Sequence, residues 1–104
     1  ILEKWVREQG ALTLMQAIAN SSYVPAKALG QHIPQFTTKG RLQVGMDADI
    51  TVFDAETVKD NATWDDVAAL NDGFYHTLVN GVFILKDGKI VTDVLPGQPI
   101  RRTP

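Results

Sequence analysis

The chain has 104 residues, 44% apolar and 21% charged, which suits one small domain or a piece of a larger one and argues against disorder. A net charge of −2 argues against a nucleic-acid-binding surface, and no apolar run approaches the ~20 residues needed to span a bilayer. The absence of cysteine excludes a disulfide, a thiol nucleophile and a thiolate metal site; with no signal-peptide pattern a cytoplasmic location is expected, and because the first residue is Ile1, not Met, an N-terminal portion is expected to precede it.

Residues 1–9 read as a helix, with Leu2, Trp5 and Val6 at i, i+3 and i+4 on one face and Gly10 at the left-handed position past its end. Thr13 opens a second helix. Thr13 and Gln16 have capping-box spacing, and Leu14, Ala17, Ile18 and Ser21 keep one face apolar or small. Pro25 begins a short third helix, where its missing N–H costs nothing, and Gly30 ends it. Three helices this short do not make a core alone, so they are expected to pack on something else. Residues 31–39, with Pro34, Thr37 and Thr38, form a connector.

The pattern then turns from helical to extended. Leu42 and Val44 alternate with Arg41 and Gln43. After a turn at Gly45-Met46-Asp47, residues 49–54 read as a second strand, with Ile50 and Val52 on one face and Thr51 and Phe53 on the other. Residues 54–73 are an excursion rich in acid and amide. Residues 63–70 within it are expected to form a short helix capped by Thr63, with Asp65 and Asp66 in its first turn, where the helix dipole favours negative charge.

Two hairpin signals follow, Asn80-Gly81 and Asp87-Gly88, each between apolar residues. They suit type I′ turns, in which both central residues need φ > 0. They predict a three-stranded meander over 75–79, 82–86 and 89–92. In the middle strand, alternation would place Val82 and Ile84 on one face and Phe83 and Leu85 on the other, so both faces need cover, as in a sandwich. The tail from Asp93, with Pro96, Gly97, Pro99 and Pro104, is expected to be irregular. No internal repeat is present.

The run Gly40-Arg41-Leu42-Gln43-Val44-Gly45-Met46-Asp47-Ala48-Asp49-Ile50 resembles the segment that follows the barrel in amidohydrolase-superfamily enzymes. Upstream, Pro25-Ala26-Lys27-Ala28-Leu29-Gly30 is similar to the helix that precedes this run. Downstream, Leu78-Val79-Asn80-Gly81 and Lys86-Asp87-Gly88-Lys89 are similar to the family's closing hairpins. Thr57-Val58, Asn61-Ala62-Thr63-Trp64 and the ending from Pro96 to Arg102 look closest to the N-acyl-D-amino-acid deacylase (D-aminoacylase) branch. Read from the residues alone, the run is structural. Gly45 permits a tight reversal, Ala48 a close backbone approach, and Asp49 can accept backbone N–H bonds that hold the turn.

The resemblance implies a parent hydrolase with a (β/α)8 TIM barrel and a composite β-sandwich. One or two divalent metals, usually zinc, would activate a water to attack an amide carbon. The family's ligands are an early His-x-His pair, further histidines, a bridging carboxylated lysine, cysteine or glutamate, and a late aspartate. None of these motifs occurs here, so no catalytic, cofactor-binding or metal-ligating residue is carried over to this chain.

The remaining candidates read as structural. His32 follows a helix stop and His76 leads a strand, whereas a zinc hydrolase site needs three protein ligands. Asp65 and Asp66 are adjacent on a helix and point apart. Ser21-Ser22 has no base in sight. Gly81, Gly88 and Gly97 lack phosphate-loop spacing. Arg101 and Arg102 sit in a proline-flanked tail, and Trp5 and Trp64 read as packing residues.

The fold class expected is therefore an α+β fragment. Residues 1–39 would be the last barrel helices of the parent and residues 40–104 the C-terminal part of its sandwich, a half-sandwich ending in the meander. The chain would be scaffold of an amidohydrolase acting on C–N amide bonds, with the rest of the parent enzyme as its partner and no nucleic acid or membrane. Alone, it is expected to self-associate. Two alternatives are a stand-alone β-module that binds a protein partner and a fragment of a dihydroorotase- or hydantoinase-like cyclic amide hydrolase.

Overall fold

The computed structural model describes residues 1–101. The chain is α+β: a helical N-terminal third is followed by a four-stranded antiparallel sheet. The first helix, Leu2–Glu8, is a wide π-type turn in which the Gln9 N–H reaches the Lys4 carbonyl at 3.0 Å. It stops at Gly10, whose φ is +60°. Helix α1, Leu14–Ser21, starts on the capping box that its spacing predicts. The Gln16 N–H donates to Thr13 Oγ1 at 3.2 Å, and the Thr13 N–H donates to Gln16 Oε1 at 2.9 Å.

Helix α2, Tyr23–Gly30, begins two residues before Pro25, so the proline lies inside its first turn and not at its first position. That turn has no intrahelical N–H partner to lose, which is why the proline is tolerated there. Ala17 and Ala26 are the buried residues of the two helices, and their small side chains let the backbones approach closely. A single 3-10 turn, Pro34–Thr38, interrupts the connector.

Strand β1, Ile50–Phe53, pairs with β2, Phe74–Val79; β2 pairs with β3, Val82–Lys86; β3 pairs with β4, Lys89–Ile90. Both expected hairpin turns are present. Asn80 and Gly81 have φ of +49° and +76°, and Asp87 and Gly88 have +50° and +74°, as a type I′ turn requires. The faces differ from the simple alternation. Thr77 pairs with Leu85 and Leu78 with Phe83, which leaves Ile84 as the extra residue of a bulge. Ile84 and Leu85 consequently wall the same cavity, and Phe83 packs edge-on against the His76 ring at 5.7 Å. A second irregularity, with Val52 opposite His76 and Phe53 opposite Phe74, leaves Tyr75 of β2 as the extra residue, and β1 exposes Thr51 and Val52 while Ile50 and Phe53 are half-buried. The irregularity brings the Phe53 and Phe74 rings to 6.1 Å.

Two expected elements are not formed. Residues 41–44 pair with no strand among the described residues; Val44 enters a turn closed by the Met46 N–H on the Gln43 carbonyl at 3.1 Å, and Leu42 and Val44 are 86% and 99% exposed. Alternation alone does not make a strand, because a strand is held by the ladder to its neighbour. Residues 63–70 are not helical either. The Thr63 cap is made, with the Asp66 N–H on Thr63 Oγ1 at 3.0 Å, but the Thr63 N–H turns back to the Asp66 carbonyl. Eight residues cannot carry the nucleation cost of a helix without a buried face, and Trp64, Val67 and Leu70 are 100%, 77% and 71% exposed.

The excursion is held at its base. The Asp54 N–H donates to the Gly73 carbonyl at 2.9 Å, Lys59 and Asp72 exchange backbone bonds, and Val58 is buried against Gly73. A Cβ on Gly73 would lie 2.5 Å from Val58 Cα and N, so no other residue fits there without moving the backbone. The first helix clamps this base from outside: Arg7 Nη1 donates to the Val58 carbonyl at 2.7 Å and the Ala55 carbonyl at 3.2 Å, while Glu3 accepts the Asp60 N–H at 2.8 Å.

The core is thin. Among the described residues Ala17, Ala26 and Val58 are the buried apolar residues, and no large side chain is fully enclosed. The accessible surface is 7985 Å², against about 5,800 Å² for a compact monomer of this mass. The radius of gyration is 15.2 Å, against about 13 Å for a compact chain of this length.

Candidate functional site

The best-organised polar cluster lies where the loop after the helices returns to the sheet. Lys39 Nζ sits 2.6 Å from Asp49 Oδ2 and 2.9 Å from Asp47 Oδ2. Asp47 Oδ2 also accepts from Thr38 Oγ1 at 3.0 Å, and the Asp47 N–H donates to the Thr38 carbonyl. The second oxygen of Asp49 accepts the Asn80 N–H at 2.9 Å, and the Gly81 N–H donates to the Ala48 carbonyl at 3.0 Å. One lysine thus closes the loop of residues 39–49, and one aspartate fastens it to the tip of the β2–β3 hairpin. Asp49 does hold backbone, as its place in the motif suggests, but the backbone of the hairpin and not that of its own turn. Ala48 lets the hairpin tip come close, its Cβ 3.8 Å from where a Gly81 side chain would begin.

The electrostatics follow from this geometry. The hydrogen bond from Lys39, and after it the Asn80 N–H, hold the Asp49 carboxyl below the usual aspartate value. The bonds to Asp49 and then Asp47 raise the Lys39 ammonium above the usual lysine value. Both shifts favour the charged forms of Lys39 and Asp49, and every short contact is satisfied within the cluster. It can bear a mechanical load but has no group poised to exchange a proton. Lys39 was missed at the sequence level because its carboxylate partners lie eight and ten positions away, outside any helical or strand spacing.

The two histidines serve separate places. The His32 backbone N–H caps the end of α2 by donating to the Leu29 carbonyl at 3.0 Å, and the residue is exposed. His76 is half-buried in β2. Its Nδ1 accepts the Asp87 N–H at 3.2 Å, and its Nε2 is 3.8 Å from Asp87 Oδ1, so the ring fastens the second hairpin turn. No group of three or more His, Cys, Asp or Glu side chains among the described residues could hold a metal.

The other candidates are placed as follows. Asp65 and Asp66 are exposed in the excursion. Ser21 and Ser22 lie at the junction of α1 and α2, on the wall of a cavity of about 660 Å3 between the helices and the sheet. Gly81 and Gly88 are turn residues, and Gly97, in the tail, lines a cavity of about 570 Å3 beside the sheet. The Arg101 N–H donates to Gln35 Oε1 at 3.1 Å, and Arg102 lies outside the described residues. Trp5 supplies a carbonyl that takes the Ala11 and Leu12 N–H groups, and Trp64 is fully exposed. Arg41, read only as part of a strand, stacks on Tyr23 at 5.2 Å and leaves its Nε buried without a partner at the cavity wall. Among the described residues no helix is long and apolar enough to cross a membrane.

No protein-family model matches the chain. It is 39% identical over 102 residues to N-acyl-D-glutamate deacylase of Alcaligenes xylosoxydans xylosoxydans, a match that covers 98% of this chain and 20% of the relative. It is 33% identical over 98 residues to N-acyl-D-aspartate deacylase of the same organism, covering 94% and 18%. Its fold superposes on the crystal structure of N-acyl-D-glutamate deacylase from Bordetella bronchiseptica, solved with zinc and a phosphonate inhibitor. The TM-score is 0.73 at 41% identity, over 80% of this chain and 16% of that one. It also superposes on a D-aminoacylase with a TM-score of 0.75 at 28% identity, over 86% and 18%. The chain spans about a fifth of the length of the curated relatives it matches. In sequence and in fold it is similar to a segment of the N-acyl-D-amino-acid deacylases, the branch of the amidohydrolase superfamily that its motifs indicate.

Proposed function

We propose that this chain is scaffold in a metal-dependent N-acyl-D-amino-acid deacylase. The observation that carries the reading is the 39% identity across 98% of the chain to an enzyme of that kind. In this reading residues 1–39 are the last helices of the barrel and residues 40–104 a part of the composite β-sandwich, with the rest of the enzyme as partner. The complete enzyme hydrolyses an amide C–N bond and releases a carboxylate and a D-amino acid. One or two divalent metals, zinc foremost, activate the attacking water there. The residues present do not fit such a metal, because among the described residues no three His, Cys, Asp or Glu side chains come together, and the His76 ring is engaged with Asp87. No step of the hydrolysis is therefore assigned to a side chain of this chain. Its contribution is mechanical: the Lys39–Asp49–Asn80 clasp and the Arg7 clamp fix the helices, the sheet and the excursion to one another. A cytoplasmic location goes with this reading, supported by the lack of cysteine.

A chimera tests it. The matching segment of the Alcaligenes N-acyl-D-glutamate deacylase is replaced by this chain, and zinc content and deacylation of N-acyl-D-glutamate are measured. A control chimera carries the segment of the N-acyl-D-aspartate deacylase, which matches this chain at 33% identity. A soluble, zinc-loaded, active enzyme is expected. A chimera that fails while the control chimera works would refute the scaffold role.

A further inference from the structure

We propose that Asn80 is a deamidation site gated by the Asp49 clasp: it stays intact while the hairpin tip is closed, converts when the tip opens, and once converted keeps the tip from closing again. The inference stands on the geometry of the β2–β3 turn and does not depend on the deacylase reading.

The chemistry needs an asparagine and an unshielded backbone nitrogen after it. The Gly81 nitrogen attacks Cγ of the Asn80 side chain. A bond forms between that nitrogen and Cγ, the Cγ–Nδ2 bond breaks, and ammonia leaves with the hydrogen that Gly81 gives up. Water then opens the cyclic imide at one of its two carbonyls, leaving aspartate or isoaspartate. Glycine favours the attack because it has no Cβ to shield its nitrogen. Among Asn20, Asn61, Asn71 and Asn80, Asn80 alone precedes a glycine. Both Asn80 and Gly81 are exposed, so water reaches them.

The closed tip restrains each reacting group. The Gly81 N–H donates to the Ala48 carbonyl at 3.0 Å, so the nucleophile is held protonated. Asn80 Nδ2 donates to the Pro96 carbonyl at 2.8 Å, which ties the side-chain amide to the tail. The Asn80 N–H donates to Asp49 Oδ1 at 2.9 Å and anchors the turn between them. These bonds must open before Gly81 can reach Cγ, so local opening at Asp49 sets the rate.

The product does not fit back. Aspartate at position 80 has no side-chain N–H for the Pro96 carbonyl. It also brings a second carboxylate to the turn that Asp49 already holds, and like charges at short range repel. Isoaspartate lengthens the main chain by one carbon, which a two-residue turn does not accommodate. Backbone conformation is not the obstacle to aspartate, because Asp87 holds φ +50° in the second hairpin turn, beside the +49° of Asn80. One opening is therefore recorded permanently at the tip.

The full chain is incubated in mildly alkaline buffer, beside the same chain unfolded in concentrated urea. Conversion of Asn80 is followed by peptide mass spectrometry with detection of isoaspartate. The folded chain should convert at least about tenfold more slowly than the unfolded one. Asp49→Ala should speed the folded reaction about tenfold, and Asp49→Asn, which keeps an acceptor for the Asn80 N–H, should speed it less. Thr13→Ala, which loosens α1 away from the tip, should leave the rate unchanged. A variant that unfolds is recognised by loss of amide protection throughout β2 and β3, and Asp49→Asn then carries the test. Asn80→Asp should raise amide exchange at Gly81 about tenfold. Equal rates in buffer and urea, a rate raised as much by Thr13→Ala as by the Asp49 variants, or unchanged Gly81 exchange in Asn80→Asp would each overturn the proposal.

Discussion

Replacing Asp49 by alanine tests whether the hairpin tip is held from the side. The substitution removes two interactions, the ion pair with Lys39 at 2.6 Å and the bond from the Asn80 N–H at 2.9 Å. The Lys39 and Asp49 side chains are 23% and 35% exposed, so water screens the pair and it should contribute about 0.5–1 kcal/mol. A charge-assisted bond to a backbone N–H is worth about 1.5 kcal/mol or more when dry, and about 1 kcal/mol here because water can replace the carboxylate. Asp49→Ala should therefore cost about 1.5–2 kcal/mol at the hairpin tip. Asp49→Asn keeps an oxygen for the Asn80 N–H and should cost about half as much. Amide exchange at Asn80 and Gly81 reads this directly, since 1.4 kcal/mol of local opening is about a tenfold change in rate. The pH dependence has a fixed sign. The Asp49 carboxyl is held below its ordinary value, so its contribution is present above about pH 4 and fades as pH falls through the lowered value. The Lys39 ammonium is raised, so its contribution is present below about pH 10 and fades as pH rises through the raised value. Equal protection of Asn80 and Gly81 in parent and Asp49→Ala, at neutral pH and matched protein concentration, would refute the clasp.

Further tests follow from single sites. Gly81→Val should destabilise the β2–β3 hairpin by about 1–2 kcal/mol, because φ is +76° and a β-branched residue resists it; exchange over residues 75–86 checks this. Gly73→Ala should cost more, about 3 kcal/mol or above, since its Cβ would strike the Val58 backbone at 2.5 Å, whereas Gly88→Ala meets nothing within 4 Å and should cost about 1 kcal/mol. Thr13→Ala should remove about 1 kcal/mol from α1 by breaking its capping box, read as a loss of helical dichroism. The chain by itself should neither retain zinc after dialysis nor hydrolyse N-acyl-D-amino acids; stoichiometric zinc lost on replacing His32 and His76 would contradict that.

Local chemistry was legible in this sequence and long-range chemistry was not. The capping box at Thr13, the stop at Gly10 and both hairpin turns depend on residues within four positions of one another, where backbone sterics and side-chain reach decide the outcome. The bulge at Ile84 left no local mark, because it arises from how β3 meets β2, and it reversed the face assigned to Ile84 relative to Leu85. Lys39, Arg7 and Arg41 went unread for the same reason. Their partners, Asp49, Val58 and Tyr23, are set by the path of the chain and not by any sequence period.

The two elements that failed to form have a common physical cause. Residues 41–44 carry the period of a strand and residues 63–70 the cap of a helix, but neither acquires a surface to lie on. Periodicity states which side of an element wants burial; the energy comes only when a neighbour supplies that burial, about 1.5–3 kcal/mol for each large apolar side chain. Leu42, Val44, Trp64, Val67 and Leu70 all remain more than 70% exposed, so that energy is not collected within one copy. The described core makes the same point from inside, since it consists of two alanines and one valine. Hydrogen-bonded clasps, not apolar packing, therefore fix the relative placement of helices, sheet and excursion. That is a workable arrangement for a scaffold whose apolar surfaces are completed by another polypeptide surface.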